Sequence, residues 1–316
     1  MTLVLGLLGT AVLIGALGPV YLRGLMSPRF GPGTALAGWL ISMFAAIASF
    51  YVATALLVLP HGLSADGLIG MAAACVNTGR HLWETVLRLL LAGLAVALTV
   101  RTCWVAVRMG RSASERGHQH LTALRLLGHT EGGDREAVFW LPESTPVAYS
   151  LGGRRGAVVA TTGVARLDGE TRRAILAHEH AHLRGRHHRL VLLAEIASRV
   201  LCFVPLFRTA PSAIRVLVEL AADSAAARVC GRDGVRNALR TVGSERLPTI
   251  SLAMSREAIE LRLRWLEPRS RFGPNRVGRG MGYPLAAFTS LSPAVLALGA
   301  TAGAVLWLCL LTAPPI

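Results

Sequence analysis

The chain has 316 residues, 53% of them hydrophobic, with a formal net charge of +15 and a mean hydropathy of +0.49. All 33 of its basic residues are arginine, so chemistry that needs a lysine, such as a Schiff base, is excluded. The arginines are scattered without aromatic interleaving or a recognisable nucleic-acid module, which argues against a direct nucleic-acid partner. Positive loops held on the cytoplasmic side of a membrane are a commoner source of such a balance. The five cysteines (Cys75, Cys103, Cys202, Cys230 and Cys309) have no paired spacing. They read as small hydrophobes in a reducing or membrane setting.

In chain order, residues 3–22 and 34–59 form uncharged apolar runs long enough to cross a bilayer, which needs about 20 residues. The first lacks the basic start of a cleaved signal peptide and is too long for a typical signal core, so a retained span is expected. Residues 82–107 form a third span, with Arg88 and Arg101 near its ends able to snorkel. Residues 285–311 form a fourth, again uncharged. Arg23 and Arg29 follow the first span, Arg101, Arg108, Arg111 and Arg116 surround the end of the third, and Arg276 and Arg279 precede the fourth. The loop at 60–81 has only Arg80, offset by Asp66. The rule that positive loops stay inside then predicts an outside N-terminus, a cytoplasmic middle region and residence in the plasma membrane. The expected division is 1–109 for three spans, 110–283 for a cytoplasmic domain and 284–316 for the fourth span.

Within the middle region, residues 138–141 and 157–162 read as short strands, the second bounded by glycines. Asp168 caps a helix over 169–184, and a second helix is expected to start after Pro211 and stop at Gly231. Residues 190–207 are apolar but broken by Glu195 and Arg199, which favours a buried or membrane-grazing helix over another full span.

The segment ILAHEHAHL at 175–183 contains HExxH. His178 and His182 are four residues apart, so on a helix both imidazoles leave one face and can hold one ion. Zinc in such a site acidifies a water, and Glu179 is placed to take that water's proton. A catalytic zinc site needs a third protein ligand. Glu219, followed by Leu220, Ala221, Ala222 and Asp223, supplies one, and Asp223 falls one turn further on, where it can orient a ligand histidine. One zinc per chain is expected. His180, His187 and His188 are expected in surface roles or in contact with a ligand histidine.

At these residues the chain resembles the BlaR/MecR-type group of membrane gluzincin peptidases, with HtpX-like and CAAX-processing proteases as relatives. The resemblance covers about 146–266 and the span layout. It implies a multi-pass membrane protein with four transmembrane helices and an α+β, mostly helical, zincin-like metallopeptidase domain. It also implies a strand edge that pairs with extended substrate, here Ala148 and the glycine stretch leading into Val158 and Val159. In the segment 260–266, Arg262 matches an arginine that faces the active site, a candidate for oxyanion stabilisation. A plain amphipathic helix face explains the same segment equally well. The group often has Asp where His187 stands. Antibiotic-sensing members carry a penicillin-binding domain after the last span, and without an SxxK lysine direct sensing by acylation is not expected for this chain. The implied activity is zinc-dependent endopeptidase action on a protein or peptide, with a cytosolic BlaI-type transcriptional repressor as the substrate. Membrane-protein quality control of the HtpX-like kind is the alternative, and a catalytically silent membrane signalling receptor is the rival of another class.

Overall fold

The structure is a computed structural model that describes residues 2–27, 30–58, 78–127, 129–131, 138–153, 156–245 and 252–267. Three helices open the chain: α1 (Thr2–Leu25), α2 (Pro32–Val58) and α3 (Thr78–Leu127). Over Leu3–Leu25, Pro32–Val58 and Thr85–Leu124 they are long and apolar enough to cross a membrane. These correspond to the first three expected spans. The fourth, at 285–311, lies outside the described residues, as does most of the loop at 60–81.

A helix rises 1.5 Å per residue, so α3 is about 75 Å long against a hydrocarbon core of about 30 Å. Its distal part must therefore leave the apolar layer, and it carries Arg111, Glu115, Arg116 and His118. The boundary expected at 109/110 falls inside this one helix, which runs unbroken from its apolar part to Leu127.

A four-stranded sheet follows, with β1 (His129–Glu131), β2 (Val138–Leu141), β3 (Ala148–Leu151) and β4 (Ala157–Thr161) in the order β1-β2-β4-β3. The β2–β4 pair is parallel and the two outer pairs are antiparallel. Both faces are covered, and the side chains divide with the two-residue period of a strand. Phe139, Ala157 and Val159 face Leu121 and Leu124 near the end of α3. Val138, Ala148, Val158 and Ala160 face the helical layer on the other side.

The helices after the sheet are α4 (Thr162–Ala165), α5 (Gly169–Arg184), α6 (His187–Val200), α7 (Pro205–Glu245) and α8 (Leu252–Leu266), and α4, α5, α7 and α8 supply that layer. The start of α5 is fixed as expected, because the Asp168 carboxylate accepts hydrogen bonds from the backbone N–H groups of Glu170 and Thr171. Between α5 and α6, Arg186 takes a left-handed conformation (φ 49°), which turns the chain sharply and returns His187 toward α5.

The helix α7 differs from expectation at its start, and it breaks where its end was expected, at Gly231. It starts at Pro205, and Pro211 sits inside it. Either proline could open a helix, and Pro205 is the one at the first position, while Pro211 removes a single backbone bond near the beginning. At Gly231 the backbone leaves helical geometry (φ 77°, ψ 161°), and the helix then resumes as far as Glu245. The segment at 190–207 is divided between α6, too short at 14 residues to cross a bilayer, and the first turn of α7.

The largest core joins the two parts of the protein. Ile14, Leu22 and Leu25 of α1 and Trp39, Met43 and Ala46 of α2 pack with Leu206, Ile214, Leu217 and Leu220 of α7. The helix that carries Glu219 is therefore bedded on the apolar helices.

Candidate metal centre

Helix α5 buries Thr171, Ala174, Ile175 and Ala181. His178 and His182, one turn apart, project from a neighbouring stripe and are only partly exposed. From α7, Glu219 reaches the same point, with the metal-facing atoms of the three residues all within 4.8 Å of one another. The two histidine Nε2 atoms are 3.1 Å apart. Glu219 Oε2 is 3.5 Å from His178 Nε2, and Oε1 is 3.5 Å from His182 Nε2. Zinc–ligand bonds of about 2.0–2.1 Å in a tetrahedron place ligand atoms about 3.3–3.4 Å apart. The set fits a zinc ion, and Glu219, with 40% of its side chain exposed, leaves the site open to solvent.

Each histidine uses its other ring nitrogen to hold its orientation. His178 Nδ1 is 2.9 Å from Asp223 Oδ1, and Asp223 is 2% exposed. His182 Nδ1 is 3.1 Å from His187 Nδ1. Asp223 is in turn clamped by Arg262 of α8, whose Nε donates to Oδ2 at 2.7 Å and whose Nη2 donates to Oδ1 at 2.7 Å. Arg262 Nη1 lies 3.3 Å from Glu219 Oε2. Such a two-pronged bond fixes the carboxylate plane as well as its position.

The charges explain the protonation pattern. Asp223 and Glu219 are both anionic, and Arg262 balances only one of them. Burial pushes the carboxyls up, but Arg262 and His178 outweigh it and hold Asp223 and Glu219 down at about 2. Burial also opposes a charge on His178, yet its bonds to Asp223 and Glu219 win and raise it to about 9. His182 goes the other way, to about 4, through burial and the neighbouring His178 charge, against the pull of Glu219. A surplus of one negative charge thus gathers around the two Nε2 atoms, and a proton on His178 answers it. A divalent cation would answer the same surplus.

Glu179 is half-buried next to His178, and its charge is among those that favour the cationic form of Arg262. His180 turns away as expected. Its Nδ1 meets Leu176 O at 2.8 Å, and it lines an open pocket with Arg172, Arg173 and Arg184 on the far side of α5. His187 is buried, with 7% exposed, and its Nδ1 touches His182. The sequence left that role open, and the break after Gly185 was the signal for it.

The expected substrate edge needs correction. Val158 and Val159 lie on β4, which is paired on both sides by β2 and β3 and is fully buried, so their backbone has no free edge. Ala148 lies on β3, which is the outer strand among the described residues and packs against α5. At the end of β3, any side chain on Gly152 would run into the His188 ring, which explains that glycine.

Residues 127–216 match the family model described as Peptidase family M48. The match takes in the sheet and HExxH and ends three residues before Glu219, whose place at the site comes from the packing of α7 on α5. No curated protein and no solved structure gave a match. The family match, the His-His-Glu cluster and the three apolar helices together support a metallopeptidase domain of the M48 type in a mostly helical chain equipped to sit in a membrane.

Proposed function

We propose that this protein is a membrane-bound zinc metalloendopeptidase with its active site on the cytoplasmic side of the plasma membrane. The observation that carries the reading is the spacing of 3.1–3.5 Å among His178 Nε2, His182 Nε2 and the Glu219 oxygens. His178, His182 and Glu219 would hold one zinc, which supplies Lewis acidity toward water and the scissile carbonyl. Glu179 takes the proton of the attacking water and returns it to the leaving amine. Asp223 and His187 keep the ligand rings in register, and Arg262 keeps Asp223 in place. Two arms of the Arg262 fork are committed to Asp223, so any stabilisation of the oxyanion falls to Nη1. An extended substrate would lie along the outer strand β3, as the resemblance implies.

For the substrate we retain a cytosolic BlaI-type repressor, on the resemblance alone. One observation favours quality control of membrane proteins as a second reading: the Glu219 helix is packed on α1 and α2, which brings the site close to chains that emerge from the bilayer. Purified protein in detergent should contain one zinc and cut a denatured test protein. Glu179→Gln should keep the zinc and lose at least 100-fold in cleavage. Cleavage by Glu179→Gln at the wild-type rate would refute the reaction. A repressor cut at one site, with an unfolded membrane protein left intact, would decide for regulation over quality control.

A further inference from the structure

The corner between α6 and α7 reads LCFVPLF over 201–207, seven uncharged residues with exposed Arg199 before them and exposed Arg208 after them. This corner lies against the middle of α1. A Cβ added at Gly15 would sit 2.8 Å from Val204 Cγ1, and one added at Gly18 would sit 2.9 Å from Leu206 Cδ1. Gly15 precedes the end of α1 at Leu25 by 25 − 15 = 10 residues, about 15 Å along the helix. That is about half of a hydrocarbon core of about 30 Å.

The opposite side of the corner lies against α3. Val200 and Leu201 pack with Leu98 and Val105 of α3, inside its apolar stretch. There Arg101 Nη2 donates to Arg199 O at 3.0 Å, filling a carbonyl that the end of α6 leaves without a helical partner. The turn satisfies part of its own backbone, with Leu201 N donating to Ala197 O and Val204 N to Leu201 O. Phe203 is 70% exposed, and the two helices against which the corner packs also expose apolar residues, such as Leu17 of α1 at 56% and Val100 of α3 at 62%.

We propose that the α6–α7 corner enters the bilayer from the side of the metal site, reaches roughly its middle and turns back, with Cys202 and Phe203 against lipid acyl chains. The reasons are continuity and charge. The exposed apolar corner is packed between α1 and α3, two helices apolar and long enough to cross a membrane, and α6 is too short to go through. Arg199 and Arg208 stand behind the tip, where their long side chains can reach back toward headgroups. From this corner α7 runs on to Glu219, 219 − 205 = 14 residues after Pro205 and about 21 Å away. The bilayer thus grips the helix that supplies a metal ligand.

The inference rests on α1–α3 being membrane spans and is independent of the peptidase chemistry. Cys202 is a native, exposed probe. With Cys75, Cys103, Cys230 and Cys309 replaced by Ser, a nitroxide on Cys202 is measured in phosphatidylcholine–phosphatidylglycerol vesicles by collision with oxygen and with a water-soluble nickel chelate. A second label at Phe203→Cys repeats the test without reliance on one site. Labels at Phe44→Cys on α2 and Arg172→Cys on α5 set the lipid and water limits. The expected result is high oxygen and low nickel collision at 202 and 203, as at 44. Nickel collision equal to that at 172, or shielding from both reagents, overturns the proposal. Water-like behaviour at 44 would instead remove the span reading on which it stands.

Discussion

Asp223 is where packing and chemistry meet most directly. It takes two bonds from Arg262 and holds His178 Nδ1, all within a nearly water-free space. Loss of such an orienting partner weakens metal affinity or activity about 10–100-fold without removing a ligand. Asp223→Ala should show that loss in a zinc competition titration. Asp223→Asn, which keeps one acceptor oxygen, should lose less. Equal, unchanged affinities in both variants would show that the ring needs no such partner. Glu219→Ala, by contrast, should lose stoichiometric zinc in elemental analysis, because three protein ligands are the minimum of a stable catalytic site. The pairing of His178 with His182 was legible in the sequence, since a four-residue spacing is decided by helix geometry alone. The contact of His187 with His182 was not, because it depends on one left-handed residue, Arg186, at a corner that no spacing rule describes.

Among the elements, α5 was legible almost to the residue, since an Asp cap, an amphipathic run and a terminal glycine agree over a short stretch. The helix α7 was harder. Its start was expected after Pro211 and lies at Pro205, whereas its expected end at Gly231 is where the backbone breaks before the helix resumes. At Gly231 the pair φ 77°, ψ 161° belongs to a region that is open to glycine and almost closed to other residues. Gly231→Ala has free space for its methyl group, yet it should cost about 1–3 kcal/mol through backbone strain. Chemical denaturation would read this as a lower midpoint with an unchanged slope. A neutral result would mean that the two parts of α7 can merge into one straight helix. The misplaced substrate edge has a similar origin. Strand β4 has the stronger pattern of apolar residues because it is central, and the weaker pattern of Ala148–Leu151 marks the margin.

At the scale of the whole molecule, the arginine asymmetry predicts that reporter fusions after Arg29, after Arg80 and within 110–116 read inside, outside and inside. An outside signal from the last would place the metal site on the opposite face. The sequence announced the three apolar helices through their length and hydropathy, but not the packing of α7 on α1 and α2, because the core they share is a long-range pairing without a local signature. The continuity of α3 has the same character and a mechanical consequence. With its early part apolar, Leu121 and Leu124 under the sheet and His120 Nε2 at 2.7 Å from Tyr149 Oη, it works as a rod whose two ends share one rotational phase. Two residues inserted after Gly110 would turn the distal end by about 200° and carry Leu121 and Leu124 away from the strands. Amide hydrogen exchange in β2 and β4 should then speed up, while protection in α1 and α2 persists. Unaltered protection of the strands would mean that the rod can swivel, and that what happens in the bilayer need not be felt at the sheet.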